Sequence, residues 1–407
     1  MGDMKMNDEI VKNNRILPWT LLILAVLFTV IRTVNNVMIV TSPESGILNY
    51  LPVVFLIICA VFVITGIVTA CINKVHDPAT ERVNSIERAF IILAVLTTVV
   101  PYIFRRLIVS SEVLFDLYTE HSVTFSFIMT IVTMYIIGFP ALALSARPVP
   151  KMKIEERKLG FVNFLMYVCI VAGMCLTGSL IGTPIHMILT LPFQGNPNAG
   201  ITEMMLNSSF FERVLTVGVL APIFEELMFR KILIDRTIKY GEFISILLSG
   251  VMFGLFHGNF QQFFFAALAG AMFAFIYIRT GRIRYTIFLH MAVNMSSSIV
   301  TTSLLSKIYP VVMDSEVMES GNYDAQTLLL LLILTGWLML LGLIAVTGIV
   351  LFFVFNKRLK IYRAPDEPSR GAIMAQVSSS PVFWGFVVLC LSDFLSTYLP
   401  DIVYSLI

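Results

Sequence analysis

Long apolar runs constrain this chain more than any other feature of its sequence. A helix needs about 20 mostly apolar residues to cross the hydrocarbon core of a bilayer. On that criterion the chain offers roughly eleven candidate spans, near residues 17–40, 47–72, 89–108, 122–145, 161–190, 212–238, 242–257, 260–279, 283–306, 325–355 and 381–400. Only 13% of the residues are charged, against about 25% in an ordinary soluble domain. The sequence therefore predicts an all-α fold, a polytopic membrane helical bundle with roughly 10–11 transmembrane helices.

The charged residues between these runs indicate an orientation. Basic residues recur after every second run, for example in 147–158, 279–284 and 357–363, whereas the opposite connections are acidic. Because basic loops stay in the cytoplasm, this pattern predicts an integral membrane protein, in the plasma membrane, with its N-terminus in the cytoplasm. Arg105 and Arg106 fall on the opposite side, so the run 89–108 fits the pattern worst.

Two adjacent carboxylates interrupt the run 212–238. Glu226 and Arg230 are four residues apart, so they share one helical face and can form an ion pair. Glu225 is turned about 100° away from Glu226, which leaves a second carboxylate for general-base chemistry. The alternative is that the three side chains only form a buried ion-pair contact that holds two helices together. One carboxylate would be enough to pair with one Arg, so the second carboxylate is not explained by an ion-pair contact alone.

Two further polar pairs occur at helical spacing. Phe253 and His257 are four residues apart, as are His290 and Asn294, so each pair lies on one face of its helix. An imidazole and an amide on one stripe can hold a water and bind an oxyanion. Hydrogen bonding between helices is the competing explanation for both pairs, because His and Asn commonly serve that purpose in membranes.

Depth in the bilayer links the three motifs. At about 1.5 Å per residue, Glu225 and Glu226 lie roughly 15–16 Å from the cytoplasmic edge of their run. His257 lies roughly 22 Å in, His290 roughly 9 Å and Asn294 roughly 15 Å. These depths all fall inside a core about 30 Å thick, so the motifs are predicted to converge there.

The ordered trio resembles the signature of the CPBP family, which comprises the type II CAAX prenyl endopeptidases and the bacteriocin-processing or immunity proteins, also called the Abi family. That signature is E-E-x-x-x-R, then F-x-x-x-H, then H-x-x-x-N, and it spans roughly 210–306 here. It is met by Glu225, Glu226 and Arg230, by Phe253 and His257, and by His290 and Asn294.

The resemblance implies an intramembrane endopeptidase. Glu225 would act with His257 to activate water, and His290 and Asn294 would stabilise the oxyanion. The substrate would be a membrane-associated protein or peptide in the lipid bilayer, and no nucleic-acid partner is expected.

Glu226 and Arg230 are implied to orient the site. No cofactor is expected, although two His and two Glu could also bind Zn²⁺, so metal dependence stays open. The zincin arrangement H-E-x-x-H does not occur in the sequence.

The resemblance also suggests a division of the chain. Residues 159–310 would form a catalytic helical core, 1–158 would add N-terminal transmembrane helices of unknown role, and 311–407 would add C-terminal ones. A segment rich in Pro, Ser and Gly at 364–380 is predicted to be a polar linker. Two other functions remain open, namely a catalytically silent scaffold or immunity-type partner-binding protein, and a transporter.

Overall fold

The protein is helical throughout the part that the structure describes. This computed structural model describes the residues 26, 78–190, 199–363, 369, 371, 375, 377–378, 380–381, 383–391 and 394. Every regular element within these residues is a helix. Apart from residue 26, the predicted helices at 17–40 and 47–72 lie outside the described residues, as do parts of 364–380 and 381–400.

Eleven helices precede the C-terminal segment in the described ranges 78–190 and 199–363. They are α1 (Pro78–Val109), α2 (Glu112–Glu120), α3 (Ser122–Ser145), α4 (Phe161–Thr190), α5 (Ala199–Asn207), α6 (210–240), α7 (Glu242–Leu255), α8 (Phe260–Thr280), α9 (Ile283–Val312), α10 (Ser315–Ser320) and α11 (Ala325–Val354). Helical residues recur at 383–391.

Five described helices are long and apolar enough to cross a bilayer, namely α3, α4, α8, α9 and α11. The predicted fold class is therefore confirmed: the chain is an all-α, polytopic integral membrane protein. The total of roughly 10–11 spans stays a prediction, as does the division at residues 158 and 310.

Some helix bounds differ from those predicted. Helix α1 begins at Pro78 rather than near residue 89. Ile86, Glu87 and Phe90 are buried in the core within this helix instead of lying in a loop. Helix α6 begins after Ser209, which forms a capping box with Glu212. Such a box satisfies backbone N–H groups that the first turn of a helix leaves unpaired.

Four segments of the described helices widen into π-helix, which hydropathy does not reveal. They are Ile131–Gly138 in α3, Arg213–Leu220 and Leu227–Ile232 in α6, and Met295–Thr301 in α9. A π-helical turn has an i→i+5 hydrogen-bond pattern and changes the direction in which later side chains point. The last three lie next to the predicted site residues.

Helices α7 and α8 form a hairpin whose turn carries His257. Helix α7 has 14 residues, about 21 Å at 1.5 Å per residue, so its end falls short of the far side of a core about 30 Å thick. Gly258 has a φ of +67° and Asn259 caps α8. A Cβ on Gly250 or Gly254 would lie within 3 Å of α8 backbone oxygens, so these small residues let α7 and α8 approach closely.

Helix α8 is central to the bundle. It packs between α7 and α4, and α4 packs in turn against α11. Helix α6 contacts α7, α8 and α9 on one side and α1 and α3 on the other. One apolar core lies mainly among α1, α6, α7 and the C-terminal residues, and a second lies mainly among α4, α8 and α9. The predicted site residues thus sit where the two cores adjoin.

The C-terminal residues pack onto α1. Ser380 is fully buried and donates a hydrogen bond to Glu87, while its hydroxyl also accepts one from the Phe383 amide at 3.2 Å. Trp384 donates through Nε1 to the Ser378 carbonyl at 2.8 Å. These bonds join the end of the predicted linker to the first core.

Candidate active site

A buried ion pair forms the base of the site. Arg230 Nε lies 3.1 Å from Glu226 Oε2, and both side chains are 0% exposed. The Arg230 guanidinium also donates to the Gly270 carbonyl at 3.2 Å and lies between the rings of Phe253 and Phe273, at 4.6 and 5.3 Å. The pairing predicted from the i, i+4 spacing is confirmed. A charge buried this completely is tolerated only with such partners.

His290 connects α9 to both carboxylates of α6. Its Nδ1 lies 3.0 Å from Glu226 Oε1, and its Nε2 lies 3.7 Å from Glu225 Oε2. The ring stacks on Phe273 at 5.3 Å and meets Phe253 edge to face at 5.6 Å. Aromatic packing and two acidic neighbours therefore fix the orientation of this imidazole.

His257 approaches from the turn after α7. Its Nδ1 lies 2.8 Å from the Phe253 carbonyl, one helical turn earlier. A carbonyl can only accept, so Nδ1 carries a hydrogen, and in a neutral ring Nε2 keeps a free lone pair. His257 interacts electrostatically with Glu225, His290 and Arg230 without forming a direct ion pair with Glu225.

Asn294 ties α9 to the first π-helical segment of α6. Its Nδ2 donates to the Val217 carbonyl at 2.9 Å. A Cβ on the next residue, Gly218, would lie 2.7 Å from the Met295 side chain, so glycine permits this close approach. The amide group of Asn has two hydrogens, and this bond uses one of them.

The structure brings the six predicted residues to one region, on α6, on α9 and in the turn after α7. Glu225 is the more accessible carboxylate, with a side chain 14% exposed against 0% for Glu226. The pairing differs from the expectation in one respect. The nearest imidazole to Glu225 is that of His290, because the adjacent carboxylates of one helix both reach the same ring across the α6–α9 interface.

Sequence reasoning missed other residues that shape the site. Thr286 is fully buried beside Glu226, four residues before His290 on the same helical face, and that spacing was the signal that could have revealed it. The backbone acceptor Gly270 gave no such signal, since a main-chain carbonyl has no sequence signature.

The residues present do not fit a zinc site. Zinc needs three or four N, S or O ligands in tetrahedral geometry. No group of three or more His, Cys, Asp or Glu residues arranged for a metal occurs in the part of the chain that the structure describes.

The fold and the site define a class: a polytopic helical membrane protein with a buried carboxylate–imidazole centre. Comparison with known proteins narrows that class. Residues 207–296 match the family model described as "Type II CAAX prenyl endopeptidase Rce1-like". The matched segment contains all six predicted site residues, and the resemblance to the CPBP family of membrane peptidases is confirmed over it.

A curated relative also matches part of this chain. The chain is 35% identical over 82 residues to a protein of Bacillus subtilis (strain 168) named "Putative membrane peptidase YdiL". The match covers 20% of this chain and 34% of the relative, so the chain spans about a third of the length of the curated relative that it matches. No solved structure matches the chain significantly.

Proposed function

We propose that the chain is an intramembrane endopeptidase of the CAAX-protease/Abi type. It hydrolyses a peptide bond of a membrane-associated protein or peptide by means of a water that Glu225 and His257 activate. One observation carries this proposal. Glu225 is a partly exposed carboxylate beside the buried side chains of Glu226, Arg230 and His290, and it lies in a segment that matches a peptidase family.

The contacts support a different catalytic role for each of four residues of the site. Glu225 accepts a proton from the water, whose oxygen forms a bond to the carbonyl carbon of the substrate. The free lone pair of His257 Nε2 orients that water. The resulting tetrahedral oxyanion is stabilised by His290 and by the amide hydrogen of Asn294 that Val217 does not engage. The C–N bond then breaks, and Glu225 returns the proton to the leaving nitrogen.

The remaining two residues, Glu226 and Arg230, hold His290 in position. Arg230 neutralises Glu226, and Glu226 fixes His290 through Nδ1 at 3.0 Å. Neither Glu226 nor Arg230 reaches the surface, so both act through His290 and not on the substrate. A site held in this way is organised before the substrate arrives, and preorganised dipoles are worth more in a water-poor site than in bulk water.

The substitution Glu225→Gln tests the proposal. The purified protein is reconstituted in liposomes with a quenched, membrane-anchored peptide library, and the matched control is Glu316→Gln, an exposed carboxylate on α10. Removing a general base costs about 10²- to 10⁴-fold in rate. We expect that loss for Glu225→Gln and wild-type hydrolysis for Glu316→Gln.

Cleavage by Glu225→Gln at the wild-type rate would overturn the proposal. A cellular phenotype that survives this substitution would favour the scaffold or immunity function instead. Because the mechanism contains no metal step, hydrolysis is expected to persist in a chelator. Comparing membrane peptides from cells that carry the wild type or Glu225→Gln would identify the substrate.

We also propose a plasma-membrane location with the N-terminus in the cytoplasm. Exposed basic residues in 151–158 and 357–363 support this orientation. Labelling of single cysteines in these two segments and in α2, from either side of sealed vesicles, tests it. Labelling of α2 from the cytoplasmic side would contradict it.

A further inference from the structure

Helices α4 and α11 run antiparallel, so the start of α4 and the end of α11 lie at the same end of the bundle. A Cβ on Gly348 would collide with the backbone at Cys169, and one on Gly173 would lie 2.8 Å from the Ala345 carbonyl oxygen. Residue numbers therefore fall along one helix as they rise along the other. Beyond the first of these contacts, α4 and α11 extend to that end by roughly 12 and 9 Å at 1.5 Å per residue.

The start of α9 adjoins the same end of α4. The Leu159 amide donates a hydrogen bond to the Tyr285 hydroxyl at 3.1 Å, and the rings of Phe164 and Tyr285 lie 6.5 Å apart. The Arg157 amide donates to the Thr280 carbonyl at the end of α8, at 2.8 Å. The connection before α4 is thus fixed to α8 and α9, although it forms no helix.

The connection after α11 is fixed to α7 and α8. Arg279 donates to the Lys360 carbonyl at 2.6 Å, and the Tyr362 amide donates to Glu242 Oε2 at 2.7 Å. Arg279 also binds both carboxylate oxygens of Glu242, at 2.5 and 2.7 Å. Because Arg279 neutralises Glu242, this carboxylate does not compensate the basic side chains of the connection.

Exposed basic side chains remain at this end of the bundle without an acidic partner. The two acids of the connection before α4 are already paired, Glu155 with Arg157 at 2.8 Å and Glu156 with Arg282 at 3.3 Å. Five other exposed basic residues form no ion pair within the part of the chain that the structure describes, namely Lys158, Arg284, Lys357, Arg358 and Lys360. Their positive charge favours an anion from outside the chain.

Exposed apolar side chains lie on the bilayer side of these charges. Phe288 of α9 is 58% exposed and follows Arg284 by four residues, so the two share one helical face. Val162 near the start of α4 and Phe353 near the end of α11 are 78% and 66% exposed. All three helices are long and apolar enough to span the membrane. A ligand here meets positive charge at one level and an apolar surface one helical turn further in.

We propose that this end of the bundle binds an anionic phospholipid. Arg284, Lys357 and their basic neighbours bind the headgroup phosphate, and the acyl chains lie along the exposed faces of α4, α9 and α11. Basic pockets between transmembrane helices recognise anionic headgroups in this way. A soluble anion would use the charges but leave the apolar faces unmatched. None of these residues belongs to the proposed active site, so the inference does not depend on the proposed function.

Native mass spectrometry of the full-length protein, titrated with dioleoylphosphatidylglycerol or dioleoylphosphatidylcholine, tests the proposal. The two lipids carry the same acyl chains, so only the headgroup differs. We expect the wild type to bind phosphatidylglycerol more tightly. One basic residue near an anionic headgroup contributes about fivefold in affinity, so Arg284→Gln/Lys357→Gln should weaken phosphatidylglycerol binding by about 25-fold. Equal wild-type affinities for the two lipids would overturn the proposal.

The matched control is Lys151→Gln/Lys153→Gln. It removes two exposed basic charges from the connection before α4, but from its part beside α6, where the Met152 amide donates to the Asp235 carbonyl at 2.6 Å. We expect this variant to keep the wild-type preference and both variants to keep the wild-type unfolding temperature. If the two double variants lost affinity equally, the binding would be a general attraction to positive charge, and the site would be overturned.

Photocrosslinking in the wild-type background locates the lipid without removing a charge. p-Benzoylphenylalanine at position 288 should crosslink more phosphatidylglycerol than phosphatidylcholine from an equimolar mixture. At position 332, on the exposed side of α11 and far from its basic end, the yields should be equal. Equal yields at 288 would overturn the proposal, even if the double variant failed to fold. Glycerol 3-phosphate, a soluble headgroup analogue, should not compete. Displacement of the lipid by this analogue would mean that the site binds a free phosphate instead.

Discussion

Helices α8 and α11 are both long apolar helices, yet they relate to the bundle in opposite ways. In the most apolar 18-residue window, 61% of α8 is buried inside the protein, against 11% of α11. Helix α11 nevertheless has the higher mean hydropathy. Helix α11 is thus both the more hydrophobic and the more exposed of the two. A helix that faces lipid needs apolar side chains around most of its surface, whereas a helix inside the bundle can bury small and polar groups against other helices.

The difference shows where each helix obtains its stability. Helix α8 carries Gly270, whose carbonyl accepts from Arg230, and its Ala267 packs against Gly250 and Gly254 of α7. Helix α11 contacts α4 along one narrow stripe that includes Ala345 and Gly348. Polar groups belong to the interior of this protein, and substitutions there should cost more than those on the lipid side.

The largest effect is expected where the interior holds charge. Arg230→Met leaves Glu226 buried without its partner, and breaking a buried pair in this way costs about 3–5 kcal/mol. The free energy of unfolding in mixed micelles measures the loss. A substitution on the exposed side of α11, Leu332→Ala, serves as the control because that side chain is 70% exposed.

The double variant Glu226→Leu/Arg230→Met sharpens this prediction. Replacing both charges by apolar groups is often neutral for stability, so the double variant should recover most of the loss while remaining inactive. If Arg230→Met were as stable as Leu332→Ala, the pair would not contribute to the stability of the interior.

Two glycines of α11 provide a matched test within one helix. A Cβ on Gly348 would collide with the Cys169 backbone of α4, whereas one on Gly342 would have nothing within 4 Å. Gly348→Ala should therefore destabilise by about 1–3 kcal/mol through overpacking. Gly342→Ala should be neutral or stabilising by up to about 1 kcal/mol, since Ala favours helix. Equal unfolding free energies for the two variants would show that α11 does not dock on α4 through this stripe.

The sequence predicts this contrast only in part. Hydropathy located α8 and α11 almost to the residue, and helical spacing predicted the Glu226–Arg230 pair. Neither signal distinguishes a helix surrounded by protein from one surrounded by lipid. The hydrogen bonds of His290 to Glu226 and of Asn294 to Val217 depend on which helices meet and on π-helical turns. Those features arise from tertiary packing, which a periodicity of 3.6 residues does not encode.

Substitutions at the N-terminal caps of α8 and α11 should have smaller effects on stability than those described above. Asn259 is 2% exposed, accepts from the Gln262 amide at 2.8 Å and donates to the His257 carbonyl at 3.0 Å. Asn259→Ala should cost about 1–2 kcal/mol and lower kcat, because the turn that carries His257 loses its anchor. Asn259→Asp, which keeps the capping oxygen, should recover stability more than kcat. A variant with unchanged unfolding free energy would contradict the role of the cap.

The exposed cap of α11 should have the smallest effect. Asp324 accepts hydrogen bonds from Thr327, and these hold the pKa of the Asp324 carboxyl below its ordinary value of 3.8. A carboxyl whose folded pKa is lowered stabilises the helix above its unfolded pKa and loses that contribution as the pH falls through the folded value. Amide hydrogen exchange, corrected for the intrinsic pH dependence, should therefore show the first turn of α11 fraying below about pH 4. Asp324→Ala should show the same fraying already at neutral pH, whereas the amides of α8 should be unaffected. Faster exchange in α8 would mean that the lipid-facing helix and the interior helix unfold together, contrary to the difference in their burial.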